Sequence, residues 1–226
     1  MPYPNYLALQ PKTAHLSASA LNPLWQQSTP QSDDLSLSAL LNTAELSQHL
    51  IIQTMHRLPT RYRLIAASLT HKALTSQLIG HWLTAALLRT PFSANSEHLT
   101  FSATSPYPLT CPHNPNPQNT AQVIDYINHT SAKLVHHFKK YHRLPNAIAW
   151  GNSALAIARP WLILNPYYPA TDIFNNAQHF ITQLRPELSQ ALDYTTANNT
   201  FHIKRHSCCL KHRLVDKSHC TTCSHL

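Results

Sequence analysis

Residues 202–226 read HIKRHSCCLKHRLVDKSHCTTCSHL. They carry four of the chain's five cysteines, spaced Cys208-Cys209-x10-Cys220-x2-Cys223. Thiols gathered this densely are ligands or disulfide partners before they are packing residues. The adjacent pair is the discriminating detail. A tetrahedral Zn²⁺ site usually draws on two spaced pairs, because each spaced pair lets both sulfurs reach one ion. Neighbouring cysteines send their side chains apart and close less easily on one small ion. They serve a centre with two metal atoms more readily, and four cysteines are the full thiolate complement of a [2Fe–2S] group. Three readings follow: a [2Fe–2S] centre, a zinc site, and a redox dithiol on Cys220 and Cys223.

Upstream of the cysteines, TFHIKR (200–205) alternates apolar and polar residues and reads as a strand. Before it the pattern is mainly helical. Residues 119–142 form the clearest amphipathic helix, with Val123, Ile127, Leu134 and Phe138 inward. A helix over 37–57 is expected with Ser36 as its cap, broken by Pro59. Residues 61–89 read as one or two apolar helices ended by Pro91. Another helix starts at Asn146 and is expected to run through Ile157 and stop at Pro160. A further helix spans 173–193, interrupted or begun anew at Pro186, and 99–104 is a short strand before a proline-rich loop. The fold class is therefore α+β: a mostly helical domain, a small sheet and a short cysteine-bearing segment.

The cysteine spacing resembles that of the bacterial ferric hydroxamate siderophore reductases of the FhuF type. Arg205 before the pair and Lys211 to Arg213 after it resemble the same family's tail. Upstream, AIAWGNSALAIARPWL (147–162) is similar to that family's tryptophan–asparagine helix, and QLIGHWLTAALLRTP (77–91) less specifically to another of its helices. The resemblance implies a reductase-like helical α+β domain over 1–198 and a [2Fe–2S]-binding segment over 199–226. It implies Cys208, Cys209, Cys220 and Cys223 as cluster ligands. It also implies a one-electron reduction of Fe³⁺ in a hydroxamate-type siderophore, with release of Fe²⁺. Lys204, Arg205, Lys211 and Arg213 are then candidates for docking an anionic chelate or an acidic donor, with Trp150 and Asn152 near the substrate. The competing readings are a Cys₄ zinc protein with a basic nucleic-acid-contacting surface and an iron–sulfur sensor. No aromatic–basic stripe accompanies the charge, so no nucleic-acid partner is expected.

Composition limits what else the chain can do. Lys and Arg outnumber Asp and Glu 17 to 9, a net charge of +8, which favours anionic partners. Only Gly80 and Gly151 occur, so no glycine-rich phosphate loop or dinucleotide fingerprint can be built. A reductase of this sequence needs its electrons from a separate protein. The first residues lack a cationic start followed by an apolar run, and no stretch reaches the ~20 apolar residues of a membrane span. The expectation is a cytoplasmic protein, with peripheral contact at the inner face of the membrane as a secondary one. In that compartment clustered cysteines read as ligands before disulfides.

Seventeen histidines invite a metal reading, and His206, His212, His219 and His225 surround the cysteines. With four cysteines at hand, histidine ligation of the cluster is unnecessary. His136, His137 and His113 read as surface residues, and Cys111 as a small buried hydrophobe. The acidic residues show no paired arrangement for acid–base chemistry.

Overall fold

The computed structural model describes residues 35–88, 100–101, 109–110, 120–215 and 217–225. Among these, helices dominate and two small antiparallel sheets complete the α+β fold expected from the sequence. Cys111, His113 and the expected helix end at Pro91 lie outside the described residues.

A two-residue strand, β1 (Leu35–Ser36), leads into α1 (Leu37–Asn42). Ser36 caps α1 as predicted, its hydroxyl accepting from the Ala39 amide at 3.0 Å. The single helix expected over 37–57 is two, because Thr43 turns to an extended backbone (φ −125°, ψ 133°) and starts α2 (Ala44–Arg57). The Thr43 amide and hydroxyl both donate to the Ala39 carbonyl, which closes α1. Residues 63–88 form one helix, α3 (Arg63–Leu88). Strand β2 (Thr100–Phe101) pairs antiparallel with β1, and β3 (Leu109–Thr110) with β2, giving the order β1-β2-β3.

Helix α4 (Thr120–His142) buries Val123, Ile127, Leu134 and Phe138, the stripe read from its periodicity. Helix α5 (Asn146–Leu164) runs through Pro160 instead of stopping there. A proline inside a helix costs about 3 kcal/mol. The extra turn offsets this by burying Trp161 and Leu164 completely, at roughly 2 kcal/mol or more each. Trp161 also donates its indole N–H to Asn176 at 2.9 Å and meets Phe180 edge-on at 5.6 Å. Those partners lie on α6 (Ala170–Ile181), which a short 3₁₀ turn (Asn165–Tyr167) joins to α5. A four-residue helix, α7 (Pro186–Ser189), begins at the predicted proline.

Strands β4 (Leu192–Ala197) and β5 (Thr200–Arg205) form a hairpin. Its turn is Asn198-Asn199, both at positive φ (51° and 54°), the conformation that suits a two-residue hairpin. The expected strand is β5, with Phe201, Ile203 and Arg205 inward, while β4 occupies residues first read in part as helix. The boundary expected between 198 and 199 falls at the tip of this hairpin. Phe201 and Ile203 share one core with the helices. Helices α3 and α5 pack most extensively on each other, and β5 lies against α5 and α6. No helix among the described residues is long and apolar enough to cross a membrane.

Candidate metal centre

Strand β5 ends at Arg205, and the chain turns at once into the cysteines. Two attachments hold the turn down. Leu210 and Leu214 form a small apolar patch with Ile65, backed by Leu58, Leu69 and Ile148. Leu210 adopts a left-handed backbone (φ 65°), which costs a non-glycine residue about 1 kcal/mol and is offset by burial of its side chain. The second attachment is polar. The Arg205 amide donates to the Thr222 carbonyl at 3.3 Å, and the Cys223 amide to the Cys220 carbonyl at 2.9 Å. These bonds fold Cys220-x2-Cys223 back against the end of β5.

All four cysteines are free thiols, and they meet in twos. The Cys209 thiol interacts most strongly with that of Cys220, and the Cys208 thiol with those of Cys223 and Cys209. Cys209 and Cys223 are buried, Cys208 and Cys220 half-buried. Among the described residues, the group of three ligand atoms within 4.8 Å of one another is Cys208, His212 and His225. No three of the cysteine sulfurs close to that spacing.

The inner side of the site is built by residues far away in sequence. Ser68 on α3 donates its hydroxyl to the Cys209 carbonyl at 3.0 Å, and Lys72, one turn later, places its ammonium 4.0 Å from Cys209 Sγ. Asn152 on α5 donates to the Ser68 carbonyl at 3.0 Å and accepts from Arg205 Nη2 at 2.9 Å. The Cys220 thiol, then the Lys72 ammonium, the Lys211 amide and the Arg205 guanidinium, hold the Cys209 thiol down to about 4 against the opposing effect of burial. Burial first, then Cys223 and Cys209, push Cys208 up, while the Leu210 amide donates to its sulfur at 3.3 Å.

The candidate docking residues divide. Lys204 and Arg213 are exposed and Lys211 is half-buried, so they remain available at the surface. Arg205 is not a surface group. It is 1% exposed, because the alternation of β5 turns it inward with Phe201 and Ile203. It makes no ion pair with a carboxylate among the described residues, and its Nε and Nη1 have no hydrogen-bond partner. Asn152 is fully buried and holds Arg205. Trp150 is half-buried beneath the Arg185 guanidinium, 4.9 Å from its ring centroid.

Three contributors escaped sequence reading. Ser68 and Lys72 sit in an apolar-looking helix with nothing local to mark them. Gly151 carries a signal in hindsight, since glycine in mid-helix is costly without a packing reason. A Cβ there would collide with the Ser207 hydroxyl and lie 3.2 Å from Arg205 Nη2. Its bareness lets the cysteine segment touch α5.

One group of histidines lies buried in the helical core. His137, expected at the surface, is 2% exposed, and its Nε2 lies 2.7 Å from Ser47 Oγ. His142 Nε2 meets the same hydroxyl at 2.6 Å. His71 is fully buried, edge-on to Phe138 at 5.0 Å, with neither ring nitrogen hydrogen-bonded. Burial lowers all three, His71 to about 3 and His142 to about 4. A cavity of about 430 Å³ between α1 and α4, with Lys133, His136, His137 and Lys140 in its wall, lies beside this group and not at the cysteines.

Comparison of the chain with protein-family models and with curated proteins returns no match.

Proposed function

We propose that the protein is a ferric siderophore reductase of the FhuF kind, whose four clustered cysteines hold a [2Fe–2S] group and whose substrate is Fe³⁺ in a hydroxamate-type siderophore. The observation that carries this reading is the pairing of the thiols two by two beside buried positive charge. A single tetrahedral zinc would need all four sulfurs roughly 3.8 Å apart, as the Zn–S bond length requires. Two pairs, Cys209 with Cys220 and Cys208 with Cys223, suit two iron atoms with two thiolates each.

The surroundings support the same group. Arg205 Nε, Arg205 Nη1 and Ser207 Oγ are buried donors without a partner. A buried guanidinium lacking a counter-ion costs several kcal/mol. An anionic sulfur-rich centre held by the cysteines would supply the missing charge and acceptors. Cys208, Cys209, Cys220 and Cys223 would hold a [2Fe–2S] group, which would supply the single electron that turns the Fe³⁺ of the chelate into Fe²⁺.

The residues around it divide the remaining work. Lys72 and Arg205 favour the more negative, reduced state of whatever the thiolates hold. Asn152 and Ser68 fix Arg205 and the Cys209 backbone. Exposed Lys204 and Arg213 steer anionic partners towards the half-buried Cys208 and Cys220. Fe³⁺ is a hard cation held by anionic oxygens, and one-electron reduction weakens that hold without a proton-transfer residue at the metal. With two glycines and no dinucleotide loop, the electron comes from a separate donor protein.

Anaerobic purification with metal and sulfide analysis tests the reading. About two iron atoms and two sulfides per chain are expected. The chemically reduced protein should be reoxidised by a ferric hydroxamate, with Fe²⁺ appearing in a ferrous chelator. Stoichiometric zinc without sulfide, or a reduced centre indifferent to ferric hydroxamates, would overturn it.

A further inference from the structure

The outer edge of the cysteine cluster carries three imidazoles that the reductase reading does not use. His212 Nδ1 lies 3.3 Å from Cys208 Sγ. That sulfur, a ring nitrogen of His212 and a ring nitrogen of His225 are all within 4.8 Å of one another. His219 lies flat on His212, with ring centroids 4.7 Å apart and planes 14° from parallel. Lone pairs of imidazole nitrogens lie in the ring plane, so a ring stacked in this way braces its neighbour. His225 meets His212 nearly at right angles, at 68°, which lets the two nitrogens converge from different directions.

We infer that Cys208, His212 and His225 form a second metal site, for a single divalent first-row transition ion, on the solvent side of the cysteine cluster. Two imidazoles and a thiolate suit Fe²⁺, Co²⁺ and Zn²⁺, whereas Fe³⁺ prefers hard anionic oxygens. Three protein ligands leave a fourth tetrahedral position open to water or to a departing oxygen ligand. His212 is half-buried and His225 exposed, so the site opens outward. The Cys208 sulfur keeps a lone pair after binding one metal and can bridge to another.

The role of this site rests on the reductase reading. It passes over the ferric substrate and takes the ferrous product, in an exchange of hydroxamate oxygens for nitrogen and sulfur that moves no electron. The location of the metal does not depend on that role.

The test uses anaerobically purified protein whose iron and acid-labile sulfide have been measured first. Co²⁺ is then titrated and followed by its ligand-field absorption and by calorimetry. One Co²⁺ per chain should bind. His212→Ala/His225→Ala should weaken that binding at least about 100-fold, since loss of even an outer-sphere partner costs 10- to 100-fold. Iron and sulfide should not change. His129→Ala/His136→Ala, at two exposed positions on α4, should bind Co²⁺ as the parent does. If the double variant misfolds, His225→Gln alone, at an exposed position, should still weaken binding about tenfold. Absence of stoichiometric Co²⁺ binding overturns the site, as does binding that survives the histidine substitutions, which is how an ion held by the four cysteines alone would behave. Missing sulfide in the starting protein would instead remove the cluster reading and leave the Co²⁺ comparison to decide the site.

Discussion

The helical core and the cysteine-bearing segment are held by different forces. The core closes on apolar burial: Leu50, Ile51, Phe138, Trp161 and Phe180 are all 1% exposed or less, on four different helices. Each contributes roughly 2 kcal/mol, and loss of any one leaves the others in place. The segment closes on a single polar chain, from Ser68 through Asn152 to Arg205, with Cys209 against it, plus the small Leu210–Leu214 patch. A polar chain in a buried place is strong only when complete, because each missing partner strands another. The core should therefore tolerate damage gradually, and the segment should fail as a unit.

Arg205→Leu is the sharpest way to break this contrast. It strands Asn152 Oδ1 and removes the buried cation beside Cys209. Iron and sulfide should fall to background while the far-UV helical signal persists. Gly151→Ala should do the same by pushing Ser207 away. If either variant keeps its metal, the segment does not depend on that chain.

Acid should attack the other half. His71 and His142 are neutral in the fold and charged when unfolded below about pH 6.5. The unfolded chain then binds more protons, so stability falls as pH drops from about 6.5 towards the folded values of about 3 for His71 and about 4 for His142. The slope reaches about 1.4 kcal/mol per pH unit for each such histidine, so denaturant midpoints at pH 7.5 and 5.0 should differ plainly. Removing His71 as His71→Leu should flatten that profile. A profile unchanged in His71→Leu would mean the acid sensitivity arises elsewhere.

Lys72→Met removes charge without touching the polar chain. At an effective dielectric near 20, a charge about 4 Å away is worth up to about 4 kcal/mol. The reduction potential of the bound centre should fall on the order of 100 mV, iron content being retained. Potentiometric titration gives the answer, and an unmoved potential would make Lys72 a bystander. The smallest effect belongs to Lys204→Gln/Arg213→Gln. These exposed groups should slow the reaction with an anionic partner a few-fold at low salt and leave metal content and potential alone, because screening acts within ~10 Å at 0.1 M. A slowing that persists at high salt would argue for direct contact.

The same contrast explains what the sequence made legible. Core helices announce themselves by period, as the inward stripe of α4 does, and Ser36 marks the cap of α1. The cysteine spacing and the strand before it were equally plain. What stayed hidden depends on partners distant in the chain. Arg205 reads as one more cation in a basic tail until the β5 alternation is paired with a platform beneath it. The same is true of the histidines: His137 and His225 look alike in sequence, and only packing sends one into the core and the other to the cysteines. Pro160 misled for a related reason, since the burial that outweighs its cost comes from α6.

The contact between Ser68 and Cys209 joins residues 141 positions apart, and that between Lys72 and Cys209 joins residues 137 apart. Closures over such distances are slow compared with the local contacts of helices. The receiving platform of α3 and α5 is thus expected to stand before the cysteines reach it. If the cysteines hold metal as proposed, loading would be the last act of maturation, performed on a nearly finished protein, and purification under iron limitation should yield a folded form that takes up iron afterwards.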